Sequence, residues 1–115
     1  MNKSESYVKK ISGLQRQLRS EIVRLMRQSG QQEIPLLPKK STDRVWVVFY
    51  QEYLSEYRTG YLDMVKYNNG ELSFEIMWSN GDIIEISENS SPLFMDIPEV
   101  MIKIYKNLWN QINNS

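Results

Sequence analysis

Two hydrophobic periods divide the chain, and the first is that of a helix. Before Gly30, apolar side chains recur at spacings of three and four, which 3.6 residues per turn gathers into one stripe. The stripe contains Tyr7, Ile11, Leu14, Leu18, Ile22 and Leu25. Gly30 can take the left-handed conformation that ends a helix. The pattern therefore predicts a helix over residues 4–29.

From Arg44 onward the period changes to two, which is typical of strands. We predict strands at 44–50, 60–67, 71–78 and 81–87, with turns at 55–59, 68–70 and 79–81. The first strand is apolar on both faces, so we expect it to be covered on both sides. The strands form an antiparallel meander over residues 44–87. An SH3-like small barrel flanked by helices is the alternative.

The register of the last hairpin follows from matching like residues across it. A two-residue loop would place apolar side chains opposite polar ones on both faces. A three-residue loop with Gly81 in a left-handed bulge instead pairs Ile76 with Ile84 and Phe74 with Ile86, and we prefer it. The other face then pairs Met77 with Ile83 and Glu75 with Glu85.

The register of the preceding hairpin stays open between two alternatives. A two-residue Asn69-Gly70 turn sends Leu62 and Met64 outward and leaves Asp63 facing the core without a partner. The residues that then face the core are Tyr61, Val65 and Tyr67. A turn that includes Asn68 reverses every assignment.

Residues 31–43 connect the first helix to the sheet. Pro35 and Pro38 exclude a helix and disfavour a central strand. We interpret the segment as an ordered connector that Leu36 and Leu37 hold against the core; a mobile linker is the alternative.

A second helix is predicted at residues 97–112. Its main apolar stripe contains Ile97, Val100, Met101, Ile104 and Leu108, and it is widened by Ile102, Tyr105, Trp109 and Ile112. At 100° per residue the apolar arc covers about half the circumference. We expect this helix to lie between two surfaces: the sheet and either the first helix or another protomer.

Length and composition agree with one α+β domain. The chain has 115 residues, of which 41% are hydrophobic and 24% charged, as in an ordinary globular domain. The predicted order is a long N-terminal helix, a four-stranded sheet and a C-terminal helix packed on it.

Charge is balanced overall but uneven along the chain. The first 40 residues carry nine Lys or Arg against three Glu, a balance of +6 that the remainder offsets. The basic face of the first helix consists of Lys9, Arg16, Arg19, Arg24 and Arg27. A polyanion partner, the acidic remainder of the protein, or plain solvation would each explain this face. Without a helix-turn-helix or interleaved aromatic residues, nucleic-acid binding is an alternative that we do not favour.

The absence of Cys and His excludes most catalytic chemistry. It removes thiol nucleophiles, histidine bases and the usual zinc ligand sets. Glu75 and Glu85 are the nearest approach to a catalytic pair. They come with no metal signature, nucleophile or phosphate loop, so we expect no enzymatic activity, no cofactor and no metal.

The favoured function is a non-enzymatic protein-interaction or oligomerisation module, with a second copy or another protein as partner. The basis is a surplus of apolar surface over what one chain of this size can cover. Candidate contact residues are Trp46, Tyr50, Met77, Ile83, Ile102, Tyr105 and Trp109. No signal-peptide core and no apolar run of about 18 residues is present, so we expect a cytoplasmic protein without a membrane partner.

Overall fold

The computed structural model describes residues 3–51, 54–78, 81–90 and 92–113; within them, the side chains of 3–12, 41 and 93 are not described. The helices are α1 (Lys3–Ser29) and α2 (Pro98–Asn113). The strands are β1 (Glu33–Pro35), β2 (Trp46–Gln51), β3 (Glu56–Asn68), β4 (Glu71–Trp78) and β5 (Ile83–Ser87). The α+β class and the helix–sheet–helix order are as predicted.

Helix α1 ends where its sequence predicts. Gly30 follows with φ 70°, and its amide donates to the Arg27 carbonyl at 3.1 Å. Its 27 residues extend over about 40 Å at 1.5 Å per residue. The C-terminal half of the apolar stripe packs into the core. Ile22 and Leu25 are fully buried, whereas Leu14 is exposed. The side chains of Tyr7 and Ile11 lie outside the described ones.

Strand β3 is the centre of the sheet. β4 pairs with one edge, and β1 and β2 pair end to end with the other. Within the described residues β5 pairs only with β4, so the sheet is open and the SH3-like barrel alternative is wrong. β3 also begins at Glu56, four residues earlier than predicted, because residues 56–59 pair with β2 instead of forming a turn.

A bulge in β3 shows that each alternative register was half right. Asn68 faces Glu71, so Asn69-Gly70 is a two-residue turn, and both residues have positive φ as a type I′ turn requires. The register then shifts between Leu62 and Met64. The extra residue, Asp63, reverses the faces: Val65 points inward as the two-residue turn demands, yet Leu62 is buried as well.

The β4–β5 hairpin has the predicted register. Phe74 faces Ile86, Ile76 faces Ile84, and Glu75 faces Glu85. Gly81 has φ 88°, in agreement with the bulged loop. Residues 79 and 80 of that loop lie outside the described ones.

Strand β2 departs from its prediction, since only one of its faces is covered. Val47 and Phe49 are buried, but Trp46, Val48 and Tyr50 are each about half exposed. The expected coverage on both sides is therefore wrong for this chain alone.

The connector is ordered, and it contains a strand that the sequence did not reveal. β1 pairs with residues 64–66 of β3, and Ile34 is buried there. Leu36 is buried and its amide donates to the Asp63 carbonyl at 3.0 Å. Leu37, however, is 61% exposed, so the expectation that it holds the connector to the core is wrong.

Helix α2 packs against α1 and against the inner sheet face, as its wide apolar arc predicts. Its buried residues are Val100, Met101, Ile104 and Leu108. Ile97, which was assigned to the same stripe, precedes the helix and is 45% exposed. The two helices thus form one layer over one face of the sheet and leave the other face open.

Candidate functional site

The uncovered sheet face carries a continuous group of apolar side chains, here called the aromatic face. Its members are Trp46, Val48, Tyr50, Tyr57, Tyr61, Met77 and Ile83. The exposed fractions are 50% for Trp46, 63% for Tyr57 and 54% for Ile83, large values for residues of these types. Tyr61 and Met77 are half-buried among them.

Strand register brings these residues together. Trp46 faces Tyr61, Tyr50 faces Tyr57, and Tyr61 in turn faces Met77 on β4. Since opposed residues of antiparallel strands share a face, the odd-even alternation of three strands collects them on one side. Ile83 on β5 faces Met77 and completes the row.

The rings pack against one another in defined geometries. Trp46 and Tyr61 meet edge to face with centroids 5.4 Å apart, and Tyr50 and Tyr57 are tilted at 5.2 Å. The Arg44 guanidinium lies 4.3 Å from the Tyr61 ring centroid, within cation–π range. The Tyr61 hydroxyl donates to the Met77 sulfur at 2.8 Å. These contacts pre-order the aromatic face without burying it.

The polar end of the same sheet face is a charged cluster around Lys66. Its ammonium lies 2.8 Å from Glu75, 3.2 Å from Glu85 and 3.6 Å from Glu33. The hydrogen bond to Glu75 is the main cause that raises the pKa of Lys66 above its ordinary value. The Lys66 ammonium therefore bridges Glu75 and Glu85, the two glutamates that came nearest to a catalytic pair in the sequence.

The basic face of α1 is partly engaged with acidic groups of the same molecule. Arg19 donates to Glu88 at 2.8 Å and to the Gly70 carbonyl at 3.1 Å. The Leu72 amide donates to the same carboxylate at 2.6 Å. Burial raises the pKa of Glu88, but the hydrogen bonds from Arg19 and Leu72 outweigh it, and the pKa is lowered.

Three further arginines of α1 are exposed: Arg16, Arg24 and Arg27. Arg24 pairs with Glu21 one turn earlier at 2.7 Å, and Arg27 donates to the Tyr67 hydroxyl at 3.2 Å. Arg16 is exposed. The side chain of Lys9 lies outside the described ones.

The predicted contact residues on α2 form a separate group on the opposite side of the sheet. Ile102 and Tyr105 are half-buried, and Trp109 is 41% exposed. Tyr105 packs against the core cluster. The seven candidates of the sequence thus divide into two surfaces, with Trp46, Tyr50, Met77 and Ile83 on the aromatic face.

Three members of the aromatic face were not predicted from the sequence: Val48, Tyr57 and Tyr61. Tyr57 falls within the turn predicted at residues 55–59. The signal that could have found it is the alternation of Tyr57, Thr59 and Tyr61, which continues the period of two upstream of Gly60.

Comparisons with known proteins give no relative for this chain. No protein-family model matches it, and neither curated proteins nor solved structures give a significant match. Over the residues that the structure describes, neither α1 nor α2 combines the length and the apolar composition of a membrane-crossing helix.

Proposed function

We propose that this chain is a non-enzymatic interaction module that self-associates through the aromatic face. The supporting observation is the half exposure of Trp46, Val48, Tyr50, Tyr57 and Ile83 on one continuous surface. An aromatic side chain presents about 150–250 Å², so the face exposes on the order of 500 Å² of apolar area. Two copies would bury on the order of 1,000 Å², the lower range for specific association.

Charge favours a protein surface over a nucleic acid as the occupant. A phosphate backbone binds where cations outnumber acids. Beside the aromatic face stand Glu33, Glu75 and Glu85 against the cations Lys66 and Arg44. Aromatic stacking of bases would thus bring phosphates towards a surface without surplus positive charge.

A second copy supplies the matching surface. Its aromatic face offers an equally apolar centre, and the Lys66 cluster at the polar end remains at the rim, where charged groups keep contact with water. In a two-fold dimer the same patch of each copy contacts that of the other, and this is the commonest arrangement of homodimers. The modest area predicts weak association, with a dissociation constant in the micromolar range.

Light scattering across a concentration series tests this proposal. We expect a mass of 13.7 kDa at low micromolar concentration that rises towards twice that value at high micromolar concentration. A single 13.7 kDa species throughout the series would contradict self-association.

Retention on heparin at low salt tests the nucleic-acid alternative. Charge-driven binding weakens as salt rises and as arginines are removed. Retention that disappears in the variant Arg16→Gln with Arg27→Gln would support that alternative and count against the proposal. We expect the unchanged protein and this variant to elute at the same salt concentration.

A further inference from the structure

A groove of about 760 Å³ lies between the connector and α2, on a different surface from the aromatic face. Its volume falls in the range of about 300–1,000 Å³ that small-molecule sites occupy. Four charged residues line the groove. The basic ones are Lys39 on the connector and Lys103 and Lys106 on α2, and the acidic one is Asp43. The local balance is positive in a protein of zero net charge.

Hydrogen bonds between side chains and backbone hold the two walls together. The Gln111 amide donates to the Pro35 carbonyl at 2.6 Å and to the Asn107 oxygen at 2.7 Å. The Leu37 amide donates to that same Asn107 oxygen at 3.4 Å. These bonds fix the orientation of the Asn107 amide, whose nitrogen carries two further N–H donors suited to an anionic oxygen. The wall geometry is therefore set by the fold.

Apolar side chains complete the groove. Val45 is buried beneath it. The connector residue Leu37, which is 61% exposed, lines its side. A second hollow of about 270 Å³ lies beside it on α2, and Lys106 and Asn110 line both. Trp109, 41% exposed, lines that hollow and does not line the groove.

We infer that this groove binds a small phosphorylated molecule that also carries a ring, the chemistry of a nucleotide. Three ammonium groups against one carboxylate match a ligand of at least two negative charges, and lysine is a common phosphate ligand. The exposed Leu37 side chain and the rest of the apolar lining of the groove match a ring. Of the α1 arginines, Arg19 and Arg24 contact glutamates and Arg27 contacts the Tyr67 hydroxyl.

Titration of the ¹⁵N-labelled full chain with adenosine triphosphate, followed by NMR, tests the inference. We expect saturable shifts of the Asn107 and Gln111 side-chain amides and of the Leu37 backbone amide. The variant Lys103→Gln with Lys106→Gln should weaken binding about tenfold or more, since it removes two charge-assisted contacts. Both lysines are exposed, so the fold should survive the change.

The matched control is Arg16→Gln with Arg27→Gln, which lowers net charge equally outside the groove and should leave the affinity unchanged. Tripolyphosphate should shift the same amides with several-fold lower affinity, because it lacks the ring. Equal affinity for tripolyphosphate would overturn the ring assignment, and an oligonucleotide binding more than tenfold tighter would overturn the small-molecule assignment.

Shifts spread over α1, no saturation, or unchanged affinity in the lysine variant would overturn the site itself. Trp46→Ser should bind adenosine triphosphate normally. The outcome is thus independent of self-association through the aromatic face.

Discussion

Gly60 lies at a point of β3 where no side chain fits. A Cβ built there would come within 2.7 Å of both the Ile76 side chain and the Met77 carbonyl oxygen. The second contact is with backbone, which cannot move aside without disturbing the β3–β4 pairing. Gly60 therefore allows the close packing of the strands beneath the aromatic face.

Gly60→Ala is expected to destabilise the protein by about 1–3 kcal/mol, because the methyl group overpacks the sheet. Urea unfolding followed by circular dichroism measures the difference. Gly13→Ala is the matched control: nothing lies within 4 Å of its Cβ position in α1. The control should raise stability by up to about 1 kcal/mol through helix propensity. Unchanged stability of Gly60→Ala would refute the close contact.

Glu88 links α1 to the start of β4 through Arg19 and the Leu72 amide. Its folded-state pKa is lowered, so its contribution is complete above the ordinary glutamate pKa of about 4.3. That contribution falls as the pH drops below this value and is lost once the pH passes through the lower folded-state pKa. The link is thus a source of acid sensitivity.

Glu88→Gln should lower the free energy of unfolding by about 1 kcal/mol at pH 7, since a charge-assisted bond becomes a neutral one. The difference from the unchanged protein should shrink as the pH falls below about 4. Denaturant unfolding at several pH values measures it. Glu21→Gln, in an exposed pair on α1, should change stability by less than about 0.5 kcal/mol. A Glu88→Gln effect that does not depend on pH would contradict the assignment.

At the scale of elements, the connector is fixed by alternate residues, not by both of its leucines. β1 directs Ile34 into the core, and the bond from the Leu36 amide to Asp63 carries the alternation one step further. The exposed fraction is 4% for Leu36 and 61% for Leu37. Two adjacent, chemically identical residues therefore have opposite roles.

Leu36→Ala should cost about 2–4 kcal/mol, the range for removing a buried leucine side chain. Leu37→Ala should change stability by less than about 0.5 kcal/mol, as exposed positions generally do. Thermal or urea unfolding of the two variants measures both changes in stability. Equal losses in the two variants would show that the connector is held differently.

Periodicity predicted both helices and the β4–β5 register, because those segments repeat one pattern without interruption. It failed at Asp63, where a single extra residue exchanges the faces of β3. The sequence signal of this bulge is that, with a two-residue turn and no bulge, the acidic side chain of Asp63 would face the core. It failed again at β1, whose three residues end in Pro35 and are too few to establish a period.

The site was predicted only in part, for a related reason. Trp46 and Tyr50 were identified because β2 is apolar on both faces, but this pattern does not distinguish coverage by the same chain from coverage by a partner. Tyr57 was missed because turn-forming residues surround it. In both cases the answer depends on which residues pair and on what covers the sheet face, and neither follows from the local pattern alone.

The whole molecule separates its surfaces by chemistry. The two helices cover one sheet face, and the aromatic face opposite them remains open and is bordered by glutamates. Three lysines lie elsewhere, at the groove between the connector and α2. This division supports a self-association surface and a separate anion-binding groove on one small chain.

Sedimentation of two matched double variants tests self-association through the aromatic face. Trp46→Ser with Tyr57→Ser removes two residues of the aromatic face that are 50% and 63% exposed. Trp109→Ser with Leu37→Ser removes residues of comparable exposure, 41% and 61%, from the opposite side of the sheet.

All four residues are exposed, so both variants should unfold at nearly the same denaturant concentration as the unchanged protein. We predict that the aromatic-face variant stays at 13.7 kDa at high micromolar concentration while the control associates like the unchanged protein. Association that survives in the aromatic-face variant, or that is lost only in the control, would show that the aromatic face is not the surface of self-association.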